Sequence, residues 1–305
     1  DIVKTITFGI QKGGTGKTTV AASFISLAAP LVAADCDVDA PNLHLLLEPG
    51  LLEREEFEAA MIAEIDPDRC TECGICAESC AFGAISDAPG PAGGEGTGGY
   101  RVDPLLCEGC GVCELVCEEG AARLVPEVTG DVFVSDTRFG PLAHALLRPG
   151  GEASGKLVTR VKDVAARLAG ERGLELVIVD GSPGIGCPVI ASVAGSDLVL
   201  AVTEPTLSGL WGLERVHGVA QHFGVRMAVC MNKGDINREI AARVERYCSE
   251  SGLALLGVIP FDEEVNLATM NGEVLVERYS GPAAKSLEDL WKKTSALLES
   301  VKAGT

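Results

Sequence analysis

Aromatic residues are scarce in this chain, 4% of it, with only 2 Trp and 3 Tyr. A core without large rings must be filled by Val, Ile, Leu and Ala, and 47% hydrophobic residues over 305 positions supply ample material. That is the composition of a parallel sheet covered by helices. Basic residues are also few: 25 Lys and Arg stand against 44 Asp and Glu, a net charge of -19. This balance excludes general nucleic-acid binding, which needs clustered cations to neutralise phosphates. No run of eighteen apolar residues occurs, and Asp1-Ile2-Val3-Lys4 leads straight into a strand pattern. The expectation is a cytoplasmic protein with no signal peptide and no membrane span. Histidine is rare as well, and His217 and His222 share a helical stretch without a partner carboxylate, so they read as packing or surface groups.

Cysteine, by contrast, is abundant: 12 in all, eight of them in two tight clusters. Cys70, Cys73, Cys76 and Cys80 follow the spacing C-x-x-C-x-x-C-x-x-x-C, and Cys107, Cys110, Cys113 and Cys117 repeat it. In a reducing compartment such clusters indicate metal ligation rather than disulfides. Three thiolates at that spacing wrap one 4Fe-4S cluster, and the fourth cysteine of each run reaches the other cluster. The expected ligand sets are therefore Cys70, Cys73, Cys76 and Cys117 for one cluster and Cys80, Cys107, Cys110 and Cys113 for the second. The bacterial run ends in Cys-Pro, whereas here Ala81 and Glu118 follow the fourth cysteines. Zinc, the alternative, uses two separated pairs rather than three cysteines in seven residues. Gly74, Ala77, Gly109 and Gly111 beside the ligands suit close backbone approach to sulfur. From Glu48 to Ala122 the chain holds 17 Asp and Glu against 3 Lys and Arg, a net of -14, which marks this segment as a separate module that would dock a basic partner face. The Gly-rich stretch 89–99 between the two runs reads as a connector.

Outside that segment the chain alternates strands and helices. Strand 6–10, helix 18–27 and strand 31–34 come first, and strand 131–134 resumes the rhythm. Strands 175–179, 198–202, 226–231 and 253–258 follow, with helices at 210–223, 237–251 and 283–301. Between the first strand and helix lies Lys12-Gly13-Gly14-Thr15-Gly16-Lys17-Thr18-Thr19, the context that makes a Gly-rich string a phosphate cradle. Lys17 would reach the β/γ-phosphates and the Thr18 hydroxyl Mg²⁺. Gln11 stands where the usual motif has Gly. Asn232-Lys233-Gly234-Asp235 follows a strand, where the Asn amide could read a purine edge, and it also matches the guanine-reading motif of GTPases.

With its second lysine, Lys12, the loop resembles the deviant P-loop of the MinD, ParA and nitrogenase-iron-protein superfamily, in which Gln before that lysine also occurs. Asp35-Cys36-Asp37-Val38-Asp39 resembles the first switch of that superfamily and Val177 to Gly184 the second. The resemblance implies an ATP-dependent dimer, with itself or with a paralogue, in which Lys12 contacts phosphates across the interface. It also implies that Asp37 orients or deprotonates the attacking water, that Asp180 holds Mg²⁺ through water, and that the Gly184 N-H senses the γ-phosphate. Asn232, Pro260, Phe261 and Asp262 would flank adenine, favouring ATP over GTP. Cys187, seven residues after Asp180, matches a cluster cysteine of nitrogenase iron protein without that protein's second one; a buried or capping thiol is the alternative, and Cys36, Cys230 and Cys248 read as packing. In MinD a C-terminal amphipathic helix binds membrane; here a docked terminal helix is expected.

The whole reads as an α/β P-loop NTPase with a doubly wound, mostly parallel sheet, residues 1–60 and 123–305, interrupted at 61–122 by a small α+β domain like bacterial ferredoxins. The arrangement resembles MinD-type ATPases with an inserted ferredoxin domain. The expected cofactors are ATP/ADP, Mg²⁺ and two 4Fe-4S clusters, and the expected activity is an ATPase, slow without a partner, that gates electron transfer to a redox partner protein. A cluster assembly or carrier ATPase and a positioning or scaffold ATPase with structural clusters are the alternatives.

Overall fold

The computed structural model describes residues 3–10, 14–87, 99–151, 154–184 and 186–300. In chain order the elements begin with β1 (Lys4–Ile10), α1 (Lys17–Ala28), β2 (Val32–Asp35), α2 (His44–Leu47) and β3 (Gly50–Ile65). Next come α3 (Ile75–Glu78), β4 (Ile85–Asp87), β5 (Tyr100–Val102), α4 (Val112–Val116), β6 (Ala122–Thr137) and β7 (Gly140–Leu147). The rest are α5 (Ser154–Arg172), β8 (Leu176–Pro183), α6 (Cys187–Val193), β9 (Leu198–Thr203), α7 (Leu207–His222), β10 (Arg226–Asn232), α8 (Arg238–Glu250), β11 (Ala254–Ile259), α9 (Glu263–Asn271), α10 (Leu275–Arg278) and α11 (Pro282–Ser300). They divide into two compact units: Asp1–Glu55, Asp131–Leu147 and Ser154–Thr305 form the first, and Glu56–Gly130 with Arg148–Ala153 the second.

The first unit is built on a sheet of order β11-β10-β9-β1-β8-β2-β7-β6-β3, whose last two strands continue into the second unit. From β11 to β7 every neighbour is parallel. β6 and β7 are joined by two residues, a link short enough only for antiparallel strands. Apolar runs such as Val177-Ile178-Val179 and Leu198 to Val202 are buried throughout, as strands covered on both faces must be. On one face, Phe24 of α1 packs edge-on against Phe8 at 5.3 Å and Trp291 of α11 at 5.1 Å. The terminal helix is therefore docked into the core. On the other face Val189, Leu213, Val216 and Val244 bring α6, α7 and α8 onto the sheet. The sheet is doubly wound, and β1 lies between β9 and β8, so the loop after β1 opens at the carboxyl ends of the central strands.

In the second unit β4 and β5 pair antiparallel, and two short helices repeat one design. Gly74 begins α3 and Gly111 begins α4, with left-handed φ values of 81° and 78°. The expected insertion bounds, 61 and 122, fall at β3 and at the first residue of β6, because both strands run on without a break. The expected strand 131–134 is the distal part of β6, and the 19-residue α5 adds an element that the alternation had not supplied.

Candidate nucleotide site and cysteine cavities

Gly16 caps α1 with φ 85°, and a side chain there would collide with the Asn232 amide, so the loop closes only with glycine at this position. Lys17 follows, almost wholly buried, and its Nζ donates to Asp180 Oδ1 at 2.5 Å. The Thr18 hydroxyl donates to the other Asp180 oxygen at 2.7 Å and lies 3.0 Å from Asn42 Oδ1. Asp180 ends the apolar run of β8, beside β2, where it is level with Asp35. Pro183 pairs with Ile10, so Gly184, at φ 101°, leaves the sheet beside the carboxyl end of β1. The chain after β2 is tied directly to β8: Cys36 N donates to Asp180 O at 2.9 Å, and the Ser182 hydroxyl donates to Cys36 O. Thr15 is buried and Thr19 lies in the first turn of α1. Lys12 and Gly13 lie outside the described residues.

Three carboxylates thus surround one ammonium. Asp35 is fully buried, and its oxygens accept from Asp37 N at 3.1 Å, Asn42 N at 3.1 Å and Leu43 N at 3.0 Å. Burial first, then the Asp180 charge, push the Asp35 carboxyl up to about 7 against the pull of Lys17. Asp37 is raised too, by burial opposed by Lys17 and reinforced by Asp180. Burial works to lower the Lys17 ammonium, yet Asp180, with Asp35 and Asp37 behind it, holds it above its ordinary value. Excess negative charge among hard oxygen ligands is a donor set that suits Mg²⁺, which the Thr18 hydroxyl and Asp180 could hold with Asp35 and Asp37 nearby.

The stretches expected to flank a base come together. Gly234 N donates to Ile259 O at 3.0 Å and Phe261 N to Asp235 Oδ1 at 2.8 Å. Pro260 is half-buried and the Phe261 ring is exposed. Asp262 caps α9 through Glu264 N and also accepts from Ala283 N at 3.1 Å, a structural use of the carboxylate that joins α9 to α11. Asn232 is buried, and its amide donates to Thr15 O at 2.8 Å while its oxygen accepts from Lys233 N. It braces the phosphate loop, a role that its place after a strand did not indicate.

In the second unit the cysteines line two separate cavities. Cys70, Cys73, Cys76 and Cys117 share one, with Gly74 and Tyr100. Cys80, Cys107, Cys110 and Cys113 share the other, with Phe82 and Val112. Each cavity therefore takes three thiols of one run and the fourth of the other. Backbone N-H groups point at sulfur: Ala121 and Ala122 donate to Cys117 Sγ at 3.2 and 3.4 Å, and Ala63 to Cys107 Sγ at 3.4 Å. The N-H groups around it, Ala122 first, lower the Cys117 thiol, and those of residues 82–85 overcome burial to lower Cys80. Burial raises Cys76 and Cys113. Among the described residues no three His, Cys, Asp or Glu side chains close around a single metal ion. Four thiols spread over a cavity, with N-H donors on sulfur, fit a cubane, whose corners stand farther apart than the ligands of one zinc ion.

Of the remaining cysteines, Cys36, Cys230 and Cys248 are buried and Cys187 is exposed at the first turn of α6. His217 bonds the Tyr247 hydroxyl at 2.9 Å and His222 lies edge-on to Phe223. Residues that the motifs did not single out are Asp35, Asn42 and Ser182, together with Glu204, whose carboxylate meets Lys233 Nζ at 2.6 Å beside the base-side loop. No described helix is long and apolar enough to cross a membrane.

Comparison with known proteins identifies the family and the fold. The chain is 32% identical over 285 residues to an uncharacterised protein of Methanocaldococcus jannaschii, covering 92% of this chain and 93% of that one. A second uncharacterised protein of the same organism is 26% identical, covering 74% and 78%. The fold is that of the cell division ATPase MinD of Pyrococcus furiosus (TM-score 0.57, 18% identity, 97% of this chain and 100% of that one). It is equally that of Pyrococcus horikoshii MinD complexed with Mg-ADP (TM-score 0.56, 16% identity, 100% of each). The profile of the CobQ/CobB/MinD/ParA nucleotide-binding domain matches residues 6–276, and the chain is a member of that family.

Proposed function

We propose that this protein is an ATP-hydrolysing iron-sulfur protein in which nucleotide state gates electron transfer through two 4Fe-4S clusters to a partner protein. The observation that carries the reading is the sorting of eight cysteines into two cavities of four, crossed between the runs, on the same chain as a P-loop latched to a switch carboxylate. When bound, the clusters supply one-electron chemistry in a ferredoxin-like unit. Cys70, Cys73, Cys76 and Cys117 would hold one and Cys80, Cys107, Cys110 and Cys113 the other.

Binding of ATP exchanges partners at the loop. Lys17 leaves Asp180 for the β/γ-phosphates, and the Thr18 hydroxyl and Asp180 would hold Mg²⁺, which would neutralise charge on the phosphates. Asp37 orients a water for in-line attack on the γ-phosphorus. The bond to the β,γ-bridging oxygen breaks as the new P-O bond forms, its electron pair stays on the bridging oxygen of the departing ADP, and the water's protons leave with the inorganic phosphate. Gly184 N-H reads the γ-phosphate, and the link of Ser182 to Cys36 O makes the two switches move as one. Lys12 completes the charge from a second subunit, the same chain or a paralogue. The acidic cluster unit, which contains no lysine, docks a partner with a basic face.

The test is anaerobic iron quantitation and EPR of the reduced protein, with and without a non-hydrolysable ATP analogue, in wild type and in Lys17→Ala. The expected result is about eight irons per chain as two reduced clusters, with a spectrum that shifts with nucleotide only when Lys17 is present. Eight irons that ignore nucleotide would make the clusters structural, and zinc, or iron readily given up to an apoprotein, would overturn the electron-transfer reading.

A further inference from the structure

Lys162 is a half-buried charge that the ATPase scheme does not use. It stands in the middle of α5, and its Nζ donates to Ala191 O at 3.1 Å, Ser192 O at 2.7 Å and Ala194 O at 2.5 Å. All three of its N-H bonds are thereby spent on carbonyls at the carboxyl end of α6, the groups that a helix leaves without partners and where its dipole favours a cation. No carboxylate lies within ion-pairing distance of this ammonium among the described residues, so its compensation depends on α6 staying where it is. The other end of α6 is gripped as well. Gly155, in the first turn of α5, packs so closely on Cys187 that a Cβ there would lie 2.9 Å from the Cys187 Cβ and 3.3 Å from its carbonyl oxygen. α6 begins three residues after Gly184, and α5 holds it at both ends.

α5 is also continuous in the chain with the second unit. Residues 148–151, which group with the cysteine-bearing unit, stand only two residues of chain before Ser154. At 1.5 Å per residue, Lys162 lies about 12 Å along the helix from Ser154. A 19-residue helix with Leu157, Val158, Val161, Val164, Ala165 and Leu168 buried along one stripe moves as a rod.

We propose that α5 is the element by which the nucleotide state at Gly184 reaches the cysteine-bearing unit, with Lys162 and Gly155 as the positioning residues that make α5 follow α6. This rests on the nucleotide switch of the proposed function and adds the route by which it is felt. A displacement of α6 carries the three carbonyls with it, the half-buried ammonium follows rather than lose all three acceptors, and the amino-terminal end of α5 transmits the shift along the chain to residues 148–151.

The experiment is hydrogen exchange by mass spectrometry on the full cluster-loaded chain, with and without a non-hydrolysable ATP analogue and Mg²⁺, with analogue affinity measured separately. Wild type is expected to change its exchange severalfold over peptides covering 148–160 when the analogue binds. Lys162→Met, which keeps the length and loses every donor, is expected to bind the analogue within about twofold of wild type while losing that response. Lys162→Arg is expected to retain it. Gly155→Ala, which forces the helices apart without touching the charge, is expected to weaken the response and stands as the deciding variant should Lys162→Met fail to fold. A full response in Lys162→Met or Gly155→Ala would overturn the route, as would a wild type that binds the analogue and shows no change at 148–160. A wild type that binds no analogue would instead overturn the nucleotide switch itself, and this inference with it.

Discussion

Replacing Lys17 by Met is expected to destabilise the first unit before any question of catalysis arises. The Lys17–Asp180 pair is at 2.5 Å, with side chains 7% and 0% exposed. Removing one partner of such a pair costs about 3–5 kcal/mol, because the other charge is left buried and unpaired. Two features place this case at the low end. Thr18 still donates to Asp180, and Asp35 beside it can share a proton with it, so about 3 kcal/mol is expected near pH 7. For a unit of this size that corresponds to a fall of about 6–12 °C in melting temperature. Neutralising the partner as well, in Lys17→Met/Asp180→Asn, removes the stranded charge, and most of the loss should return. Urea unfolding of the nucleotide-free protein, followed by tryptophan fluorescence, provides the assay, since Trp211 and Trp291 both belong to the first unit. The four corners of the cycle give the coupling. A single-mutant cost under about 1 kcal/mol, or a double mutant that loses the sum of both, would falsify the view that this pair is a buried, mutually dependent latch.

Asp35 carries a pH signature: its carboxyl rises from an ordinary value near 3.8 to about 7, so the folded protein binds a proton that the unfolded chain releases. Its contribution to stability is full below about pH 4 and is lost as pH rises through 7. Asp35→Asn should therefore gain on wild type across that window in unfolding midpoints against pH, and a gain that shrinks with rising pH would refute the assignment. The crossed ligand sets can be read from iron content. Cys70→Ser/Cys117→Ser should keep about four irons, the other cluster, whereas Cys70→Ser/Cys80→Ser should lose both clusters; equal loss in the two would mean that the quartets are wrongly drawn. Ser182→Ala removes the hydroxyl that joins the switch strands and should cost about 1 kcal/mol of stability while lowering the kcat of ATP hydrolysis more than it raises KM, with a purely KM effect counting against a coupling role.

Much of this site could be read from the chain because its chemistry is local in sequence. The phosphate loop is a run of eight residues between a strand and a helix, and the glycine that closes it is needed for a φ of 85°, which a motif records directly. The cysteine cavities are a spacing repeated once, and the crossing of the fourth thiols is the two-cluster pattern that this spacing carries. β3 shows where such reading ends. Glu53 to Glu64 is rich in Glu, Ala and Met, residues that favour helix, yet the segment is a strand because it pairs with β6 from the far side of the cysteine runs. Asp35 could not be told from a strand-end cap, since what perturbs it is Asp180 and Lys17, brought beside it by the sheet order β1-β8-β2. Lys162 lies further still from what a motif can record. It reads as one more cation on an amphipathic helix, and its partners, about thirty residues downstream, are backbone carbonyls. A carbonyl is the same in every residue, so an interaction that ends on one leaves no mark in the partner's sequence, and only the fold can show that a charge on α5 is what holds the helix behind the second switch.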